Sequence, residues 1–297
     1  MSAPRPPAIS VIIATQGRAS KLRRTLEALG DSVPFKRGFE VLVALDGEHP
    51  PSRAVVEARR WPFAIRLLSQ PRSGAGAARN LGIAHAEASL ILFLNDDTRP
   101  ASDCLAMHVE AQARLGPAIL MGHVNWDPES PISDYMRWLA PGGHQFHFDT
   151  LEAEATVPWH GCWSAHLSLP RSWAEDQLFD ISPELSVGED SEWAFRQAWH
   201  GRAIRYLPQA VAFHNHYYGS PGGFRPRARA AGSAARRIAD LHPQIAWLVL
   251  TRPRLAALAR CVSMLSPSHW RRTAAWDLDY RWNFLLGSIL SGRPKPE

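Results

Sequence analysis

Polar and acidic residues follow several apolar runs in the N-terminal half of the chain, and side chains of these types can bind a metal ion. The four groups are Thr15-Gln16-Gly17-Arg18, Asp46-Gly47, Arg72-Ser73-Gly74 and Asn95-Asp96-Asp97-Thr98. If the runs are parallel strands, their carboxyl ends meet at one edge of a sheet, where three carboxylates converge. Paired carboxylates beside an amide are hard oxygen ligands, which suit Mg²⁺ or Mn²⁺ carrying a diphosphate. Each group alone is also typical of a turn or a helix cap.

A further acidic group, Gly188-Glu189-Asp190, precedes a helical pattern at residues 191–200. Acidic residues stabilise helix N-termini, so the two carboxylates have a purely structural interpretation. The alternative is that Asp190 acts as a general base at the lip of a ligand cleft. His214 and His216 end the next extended segment, and their spacing of two allows one ring to face a metal ion.

The elements that must position these residues alternate between strand and helix patterns. Short apolar runs at residues 8–14, 40–45, 65–68 and 90–94 are typical of buried strands, and the spacing at 19–29, 52–60, 75–88 and 102–115 is typical of helices. This order predicts βαβ units and a mainly parallel sheet flanked by helices. A further strand begins at residue 118, and an extended segment follows at 203–213.

The middle and the end of the chain are organised differently. Between residues 125 and 187 Pro, Gly, Trp and His are intermixed, which is typical of a substrate-binding region within a domain. Ser220-Pro-Gly-Gly is a breaker, and residues 226–262 and 268–290 carry helical patterns. We therefore expect a main domain at residues 1–218 and a basic helical C-terminal extension at 219–297.

Composition excludes several classes of protein. The chain has 297 residues, of which 45% are hydrophobic and 21% charged, so it can bury a full core and is not disordered. Its three cysteines, Cys104, Cys162 and Cys261, are too few and too scattered for a disulfide framework, and they lack the spacing of a zinc ribbon. The first residues carry no apolar run and no later run is long enough to span a bilayer. We therefore expect no signal peptide and a cytoplasmic location.

Charge and tryptophan are both concentrated away from the N-terminus. Residues 219–297 hold 13 basic and 4 acidic residues, whereas residues 1–218 hold 20 basic and 24 acidic residues. A basic region of this kind binds nucleic acid or anionic lipid, or only faces solvent. Eleven of the 12 tryptophans follow residue 125, where they serve either as core or as platforms for a sugar or a membrane interface.

Taken in order, these residues resemble family 2 glycosyltransferases of the GT-A fold, over roughly residues 8–218. The matching elements are Val11-Ile-Ile-Ala-Thr15, the run from Val41 to Asp46, Gly74 to Gly82, Phe93 to Asp97, His166-Leu-Ser-Leu-Pro-Arg171, Phe179-Asp180, and Gly188-Glu-Asp190 followed by Arg196. Each element is common alone, and their order and spacing carry the resemblance. It implies a GT-A α/β fold with a nucleotide-binding half at about residues 8–115 and an acceptor-binding half at about 116–218. The implied reaction is an inverting transfer of a sugar from a nucleotide-diphosphate sugar to an acceptor hydroxyl.

The resemblance also implies roles for individual residues. Asp190 matches the catalytic base, and Glu189 and Arg196 are the expected supporting residues. Asp97 matches the metal-binding aspartate of the family's Asp-x-Asp element, and His214 lies where some members have a further ligand for Mn²⁺ or Mg²⁺. The expected nucleotide-binding residues are Thr15, Gln16, Arg18, Asp46, Arg79 and Asp96.

Four positions depart from the family pattern. Asn95 stands where many members have Asp, which bears on the preference for a metal. Leu45 and Glu48 replace the first Asp and the Ser of the usual Asp-Asp-Gly-Ser element, so Asp46 carries the expected base contact alone. His166 stands where the family often has Asn.

The acceptor side is less specific in sequence. Trp159, His160 and Trp163 are the expected acceptor-binding residues, because aromatic rings stack on sugars, and packing is the alternative role. The basic C-terminal helices indicate peripheral attachment to the inner face of an anionic membrane, and with it a lipid-linked acceptor from cell-envelope polysaccharide or glycolipid synthesis. Alternatively, these helices cap the main domain or form an oligomer contact.

Three other functions fit the sequence less well than a sugar transferase. Gly74-Ala-Gly76-Ala-Ala-Arg79 lacks the third glycine of a dinucleotide-binding loop, so we reject a nicotinamide cofactor. A sugar nucleotidyltransferase needs a Gly-rich, basic phosphate loop after its first strand, where this chain has Ala14-Thr-Gln-Gly-Arg18. A non-catalytic module that binds nucleic acid or anionic lipid through the C-terminal region leaves the strand-end carboxylates without a role. We therefore expect no nucleic acid partner.

Overall fold

The apolar runs of the N-terminal half form the centre of one β-sheet. The computed structural model describes residues 6–32, 35, 37–58, 60–263 and 272–290, and the sheet formed by these residues has eight strands. They are β1 (Ile9–Thr15), β2 (Phe39–Asp46), β3 (Ala64–Gln70), β4 (Leu90–Leu94), β5 (Thr98–Pro100), β6 (Ile119–Trp126), β7 (His166–Pro170) and β8 (Ile204–His214).

The sheet is parallel in its N-terminal part and mixed beyond it. Its strands lie in the order β3-β2-β1-β4-β7-β6-β8-β5. β1 pairs in parallel with β2 and β4, and β2 pairs in parallel with β3, which confirms the predicted βαβ pattern. β7 is antiparallel to both β4 and β6, and β6 is parallel to β8. The short strand β7 therefore joins the two parts of the sheet.

Helices cover both faces of the sheet. They are α1 (Ala19–Gly30), α2 (Pro50–Glu57), α3 (Ala75–His85), α4 (Cys104–Leu115), α5 (Asp134–Leu139), α6 (Arg171–Asp176), α7 (Glu189–Trp199), α8 (Pro221–Leu241), α9 (Arg252–Ser263) and α10 (Arg272–Leu290). Ile9, Val11 and Ile13 of β1 pack against α1, α2 and α4, whereas Ile12 packs on the opposite face among residues of α3 and α7. Because both faces are buried, β1 and β2 are almost continuously apolar.

The C-terminal region is helical, as predicted, but residues 226–262 do not form one helix. α8 ends at Leu241, because Pro243 has no N–H to continue the helix and the preceding His242 leaves the helical conformation. A short 3-10 helix at Pro243–Ile245 and a short π-helix at Trp247–Thr251 then lead into α9. Of the predicted helix at 268–290, residues 272–290 form α10, and residues 268–271 lie outside the described part of the chain.

The C-terminal helices pack tightly on one another and on the rest of the chain. A Cβ atom at Gly232 of α8 would collide with the backbone of Phe284, and one at Gly287 of α10 would collide with the backbone of Arg229. Phe224 of α8 shares a core with α5 and with aromatic residues of α10. The division of the chain at residue 218 stays a prediction. Among the described residues, no helix combines the length and the apolar character needed to cross a membrane.

Candidate active site

The end of β4 buries two adjacent carboxylates. Asp96 is fully buried, and its Oδ2 accepts hydrogen bonds from Thr15 Oγ1 at 2.7 Å and from Arg18 Nε at 3.2 Å. Burial raises the pKa of Asp96 to about 6, although the Arg18 guanidinium opposes this shift. Thr15 and Arg18, both expected to bind nucleotide, therefore contact the carboxylate of Asp96 at the end of the sheet.

Cationic groups surround Asp97, which is also buried. Arg18 Nη1 lies 2.5 Å and Lys21 Nζ 4.0 Å from Asp97 Oδ2, and His214 Nε2 lies 3.4 Å from Oδ1. His216 Nδ1 lies 3.7 Å from Oδ2. Burial alone would raise the pKa of Asp97, but His214, His216 and Arg18 hold it well below its usual range. Asp97 is therefore the centre of a cluster of basic side chains, in which Arg18 and Lys21 are the cations.

Asp97, His214 and His216 have the geometry of a metal site. One ligand atom from each of the three residues lies within 4.8 Å of the others. Asp97 Oδ1 is buried and makes no hydrogen bond of normal geometry among the described residues. Its contact with His214 Nε2, at 3.4 Å, is long enough to leave this oxygen available as a ligand. One carboxylate and two imidazoles fit Mn²⁺ better than Mg²⁺, which prefers oxygen ligands. Sequence analysis named His216 only as an alternative to His214, and the structure brings both rings to the same carboxylate.

Asp46, at the end of β2, organises the loop that leads into α3. Its Oδ1 accepts hydrogen bonds from the backbone N–H of Ser73 at 2.7 Å and from Gln70 Nε2 at 3.0 Å. Its Oδ2 accepts from the backbone N–H of Gly74 and from Gln16 Nε2, each at 3.0 Å. A carboxylate has about four lone-pair positions, so a nucleotide base that bonds Asp46 must displace one of these donors. Gln16, which is exposed, is the donor that can move most freely.

Arg79 links the two acidic groups that the sequence pattern singled out. Its Nη1 lies 2.7 Å from Glu189 Oε1, and its Nη2 donates to Asn95 Oδ1 at 3.3 Å. Both partners of the ion pair are buried. Burial and the neighbouring Asp190 raise the pKa of Glu189, and Arg79 opposes the shift. Glu189 and Arg79 therefore position the loop before α7 relative to the end of β4.

Asp190 lies in the first turn of α7, where the N-terminal end of the helix dipole favours a carboxylate. The backbone N–H of Ser191 donates to Asp190 Oδ1 at 2.9 Å. Ser164 lies near Oδ2, at 3.4 Å through its N–H and 3.5 Å through its hydroxyl. Asp190 is half-buried and faces open space. Its Oδ2, which has only these long contacts, is the oxygen best placed to accept a proton.

Arg196, the second expected supporting residue, does not reach this site. Arg196 lies about two turns beyond the start of α7. Its guanidinium donates to the carboxylate of Glu192, to the side chain of Gln177 and to the carbonyl oxygen of Leu178. Neither of the cavities beside Asp190 includes it. Arg196 therefore fixes the packing of α7 rather than contacting a ligand.

Two cavities meet at Asp190. The polar cleft, of about 210 Å³, contains Arg18, Arg79, Asn95, Asp97, His214 and His216. The apolar cavity, of about 610 Å³, is lined by aliphatic and aromatic residues of α8, α9, α10 and the Trp-rich segment. Three arginines and three histidines also line it: Arg227, Arg252, Arg281, His144, His147 and His160. Five residues line both: Trp163, Val187, Gly188, Asp190 and Arg227. A group in either cavity can therefore approach the Asp190 carboxylate.

The predicted acceptor residues line the apolar cavity together. Trp159, His160 and Trp163 all face it, and Trp159 also packs edge-on against Phe195 of α7. Sequence reasoning missed Arg227, Ser164 and the contribution of α8 to the site. Ser164 lies in the irregular Trp-rich segment and Arg227 is one of many arginines in α8, so neither carried a signal of its own.

Comparison with known proteins gives the chain a family. Residues 10–171 match the profile of glycosyl transferase family 2. Validoxylamine A glucosyltransferase of Streptomyces hygroscopicus subsp. jinggangensis (strain 5008) is 26% identical over 278 residues, which cover 83% of this chain and 64% of that protein. Pre-mycofactocin glycosyltransferase of Mycobacterium tuberculosis (strain ATCC 25618 / H37Rv) is 28% identical over 272 residues, which cover 86% of this chain and 54% of that protein. The chain thus spans only part of the length of these curated relatives.

Solved structures share the fold at low sequence identity. The mannosyltransferase PcManGT from Pyrobaculum calidifontis, in complex with GDP-Man and Mn²⁺, has a TM-score of 0.67 and 18% identity, covering 97% of this chain and 88% of that one. S. aureus TarS 1-349, in complex with UDP-GlcNAc, has a TM-score of 0.55 and 16% identity, covering 97% and 93%. These similarities confirm the predicted GT-A α/β fold. Because the family profile matches more than half of its residues, the chain belongs to glycosyl transferase family 2.

Proposed function

We propose that this protein is a glycosyltransferase that moves a sugar from a nucleotide-diphosphate donor in the polar cleft to a hydroxyl of an amphiphilic acceptor in the apolar cavity, with inversion at the anomeric carbon. The observation that carries this proposal is the position of Asp190 where the two cavities meet. A sugar nucleotidyltransferase has no use for a carboxylate that faces a second, apolar cavity.

The polar cleft suits a nucleoside diphosphate. Arg18 and Lys21 lie near Asp97, so cationic groups are available to a diphosphate there. A divalent cation held by Asp97, His214 and His216 would neutralise negative charge that develops on the leaving diphosphate. The relatives of known structure were solved with GDP-Man and with UDP-GlcNAc, which supports a nucleotide-sugar donor and leaves the base open.

Asp190 is the proposed general base. Its Oδ2 accepts the proton of the acceptor hydroxyl while that oxygen attacks the anomeric carbon from the face opposite the diphosphate. The bond from the anomeric carbon to the diphosphate oxygen breaks with its electron pair, which gives a nucleoside diphosphate and an inverted glycoside. A carboxylate is a much weaker base than an alkoxide, so proton transfer has to accompany attack. Ser191 and Ser164 hold the carboxylate in place, and orientation then supplies much of the rate.

The apolar cavity defines the proposed class of acceptor. Ala231, Ala235 and Ile238 of α8, Ala256 of α9 and Phe284 of α10 line one side of it. Arg227 and Asp190 line both cavities, whereas His144, His147, His160, Arg252 and Arg281 line the apolar cavity but not the polar cleft. An amphiphilic molecule, with an apolar body and polar groups that include a hydroxyl, matches this lining. We therefore favour a lipid-linked or similarly amphiphilic acceptor, as in cell-envelope polysaccharide or glycolipid synthesis.

The outer surface of α9 supports the same class of acceptor. Leu255, Leu258 and Val262 are exposed, and their spacing places them on one face of the helix. Arg252, the first residue of the helix, is exposed, and exposed Trp247 precedes it. Arg254 and Arg260 instead bond Ser288 and Asp277 of α10. Apolar side chains flanked by arginine and tryptophan are typical of a helix that lies in the interface of an anionic bilayer. Attachment at this face would bring the apolar cavity, which α9 also lines, close to lipid.

Replacing the proposed base separates chemistry from binding. We expect Asp190→Asn to lower kcat by about 10²- to 10⁴-fold, the usual contribution of a general base, while nucleoside diphosphate binding changes little. Steady-state kinetics and calorimetric titration with the diphosphate measure the two effects. Asp240→Asn is the control, because Asp240 is an exposed carboxylate on α8 paired with Arg236. Equal turnover in the two variants would exclude Asp190 as the base.

Filling the apolar cavity tests the acceptor class. Ala256 lines the cavity, whereas Ala259, three residues along the same helix, is exposed. Octyl β-glucoside is an amphiphilic probe that carries hydroxyl groups, and a compound that binds only the folded state raises the Tm. We expect it to raise the Tm of the wild type and of Ala259→Trp, but not of Ala256→Trp. The same rise in both variants, or none in the wild type, would contradict an amphiphilic acceptor in this cavity.

The α9 face is tested with vesicles of defined composition. We expect the wild type to co-sediment with vesicles of phosphatidylglycerol and phosphatidylcholine, and much less with phosphatidylcholine alone. The double variant Leu255→Asp/Leu258→Asp should lose this binding. Leu178→Asp/Ile181→Asp, which changes two other exposed apolar residues, is the matched control and should retain it. Binding that survives in the α9 variant would place the membrane contact elsewhere.

A further inference from the structure

A second cluster of metal-ligating side chains lies inside the protein, between α4 and β7. Cys104 Sγ is 3.1 Å from His166 Nε2, and His108 Nε2 is 2.9 Å from the same nitrogen. The three ligand atoms lie within 4.8 Å of one another. No side chain of the three is more than 1% exposed. The cluster shares no residue with the Asp97 site.

Backbone positions bring these three side chains together. Cys104 and His108 are four residues apart in α4, so they lie on one face of the helix in successive turns. His166 is the first residue of β7 and reaches the cluster from the sheet. Gly122 of the neighbouring strand β6 makes room for its ring, because any Cβ there would overlap the His166 imidazole. The glycine at position 122 in β6 and the place of His166 in β7 therefore fix the position of the imidazole ring.

The outer nitrogens of both histidines are bonded in the way that metal ligands require. His166 Nδ1 lies 3.3 Å from the carbonyl oxygen of His123, which only accepts, so this nitrogen carries the proton of the neutral ring. His108 Nδ1 lies 2.8 Å from Ser168 Oγ, to which it can donate. Burial lowers the pKa of both histidines, so both rings are neutral. Each ring can then present its Nε2 lone pair to a shared point, as metal-ligating histidines do.

Two arrangements of protons fit the contacts of this cluster. Without an ion, the proton of His108 lies on Nε2 and is donated to His166 Nε2, while Ser168 Oγ donates to His108 Nδ1. The Cys104 thiol, a weak donor, then contacts a nitrogen whose lone pair is already used. With an ion, the proton of His108 lies on Nδ1, and Cys104 Sγ and both Nε2 atoms face the ion.

We propose that Cys104, His108 and His166 bind one thiophilic metal ion, Zn²⁺ or Cu⁺. A thiolate with two imidazoles is a ligand set that both ions accept. Bond lengths of about 2.0–2.3 Å require the three atoms to move apart by only a few tenths of an ångström. Binding releases the thiol proton of Cys104 to solvent, and the resulting thiolate offsets one charge of the ion. Because the cluster is buried, the ion enters during folding or local opening.

A metal at this position would stabilise the base of the active site. His166 pairs with Leu94 at the end of β4, and Asn95 N donates to Ala165 O at 3.1 Å. Ser164, two residues before His166, contacts Asp190. The ion would thus fix α4 to β7, the strand that pairs with β4 and follows the Ser164 contact to Asp190, and its role would be structural.

Cobalt substitution and metal analysis test this proposal on the full-length protein. Refolding in Co²⁺ should produce thiolate-to-cobalt charge-transfer absorption in the wild type and in Cys162→Ser, which removes another buried cysteine. The absorption should be absent in Cys104→Ser. Asp97→Asn should retain it, which separates this cluster from the proposed active-site metal. Elemental analysis of protein purified without chelator should find about one Zn or Cu per chain, and which metal is found identifies the ion.

Two outcomes would overturn the proposal. One is a wild-type protein that binds neither Zn²⁺, Cu⁺ nor Co²⁺ through sulfur after refolding, in which case the cluster is only hydrogen-bonded. The other is an unchanged cobalt spectrum in Cys104→Ser. If that variant fails to fold, as circular dichroism would show, the cobalt spectrum of Cys162→Ser/Cys261→Ser decides, since Cys104 is then the one cysteine left in the sequence.

Discussion

The burial of two adjacent carboxylates at the end of β4 is the constraint on which the rest of the site depends. A charge removed from water is costly unless it is paired, and two like charges side by side increase the cost. Asp96 and Asp97 are both almost completely buried, so basic side chains have to come to them from other elements. Arg18 and Lys21 come from the beginning of α1, and His214 and His216 come from the end of β8. Segments nearly 200 residues apart in sequence are thereby held at one point, which is the site proposed for a metal-bound diphosphate.

Two further elements, Arg79 and β7, link the proposed donor side of the site to the proposed acceptor side. Arg79 joins Asn95, next to the carboxylate pair, to Glu189, next to Asp190. β7 forms a second link. It pairs with β4, and Ser164, which contacts Asp190, lies just before it in the chain. Asp190 therefore has a fixed place at the junction of a polar cleft and an apolar cavity. This position is the reason for placing the donor in the polar cleft and the acceptor in the apolar cavity in the proposed reaction.

Much of the N-terminal half of the sheet could be predicted from sequence, because its signals are local. β1 to β4 are apolar runs with both faces buried, and each polar strand end follows directly from the run before it. Because the carboxyl ends of parallel strands meet at one edge of a sheet, Asp46, Asp96, Asp97 and Arg18 are expected at the same edge, and the structure places them there. The role of Asp46 was less visible, since its four hydrogen-bond donors come from loops on both sides.

Features that depend on packing between distant segments were not predictable in the same way. β7 has polar residues, His166 and Ser168, on its buried face, so no apolar period marked it as a strand. The Cys104–His108 pair is visible as a four-residue spacing, but its third partner lies nearly 60 residues away. The apolar cavity arises where α8, α9 and α10 meet the Trp-rich segment, and the break at Pro243 that shapes it was read as continuous helix.

The measurement that tests the central claim most directly is a thermal-shift panel with UDP, GDP, dTDP and ADP, each with and without Mn²⁺ or Mg²⁺, on the wild type and on Asp97→Asn. A ligand that binds the native state raises the Tm. We expect at least one nucleotide to raise the Tm of the wild type only when the metal is present, and to lose this effect in Asp97→Asn. A rise that is independent of metal and unchanged in Asp97→Asn, or no rise with any nucleotide, would contradict a metal-dependent donor site at the end of β4.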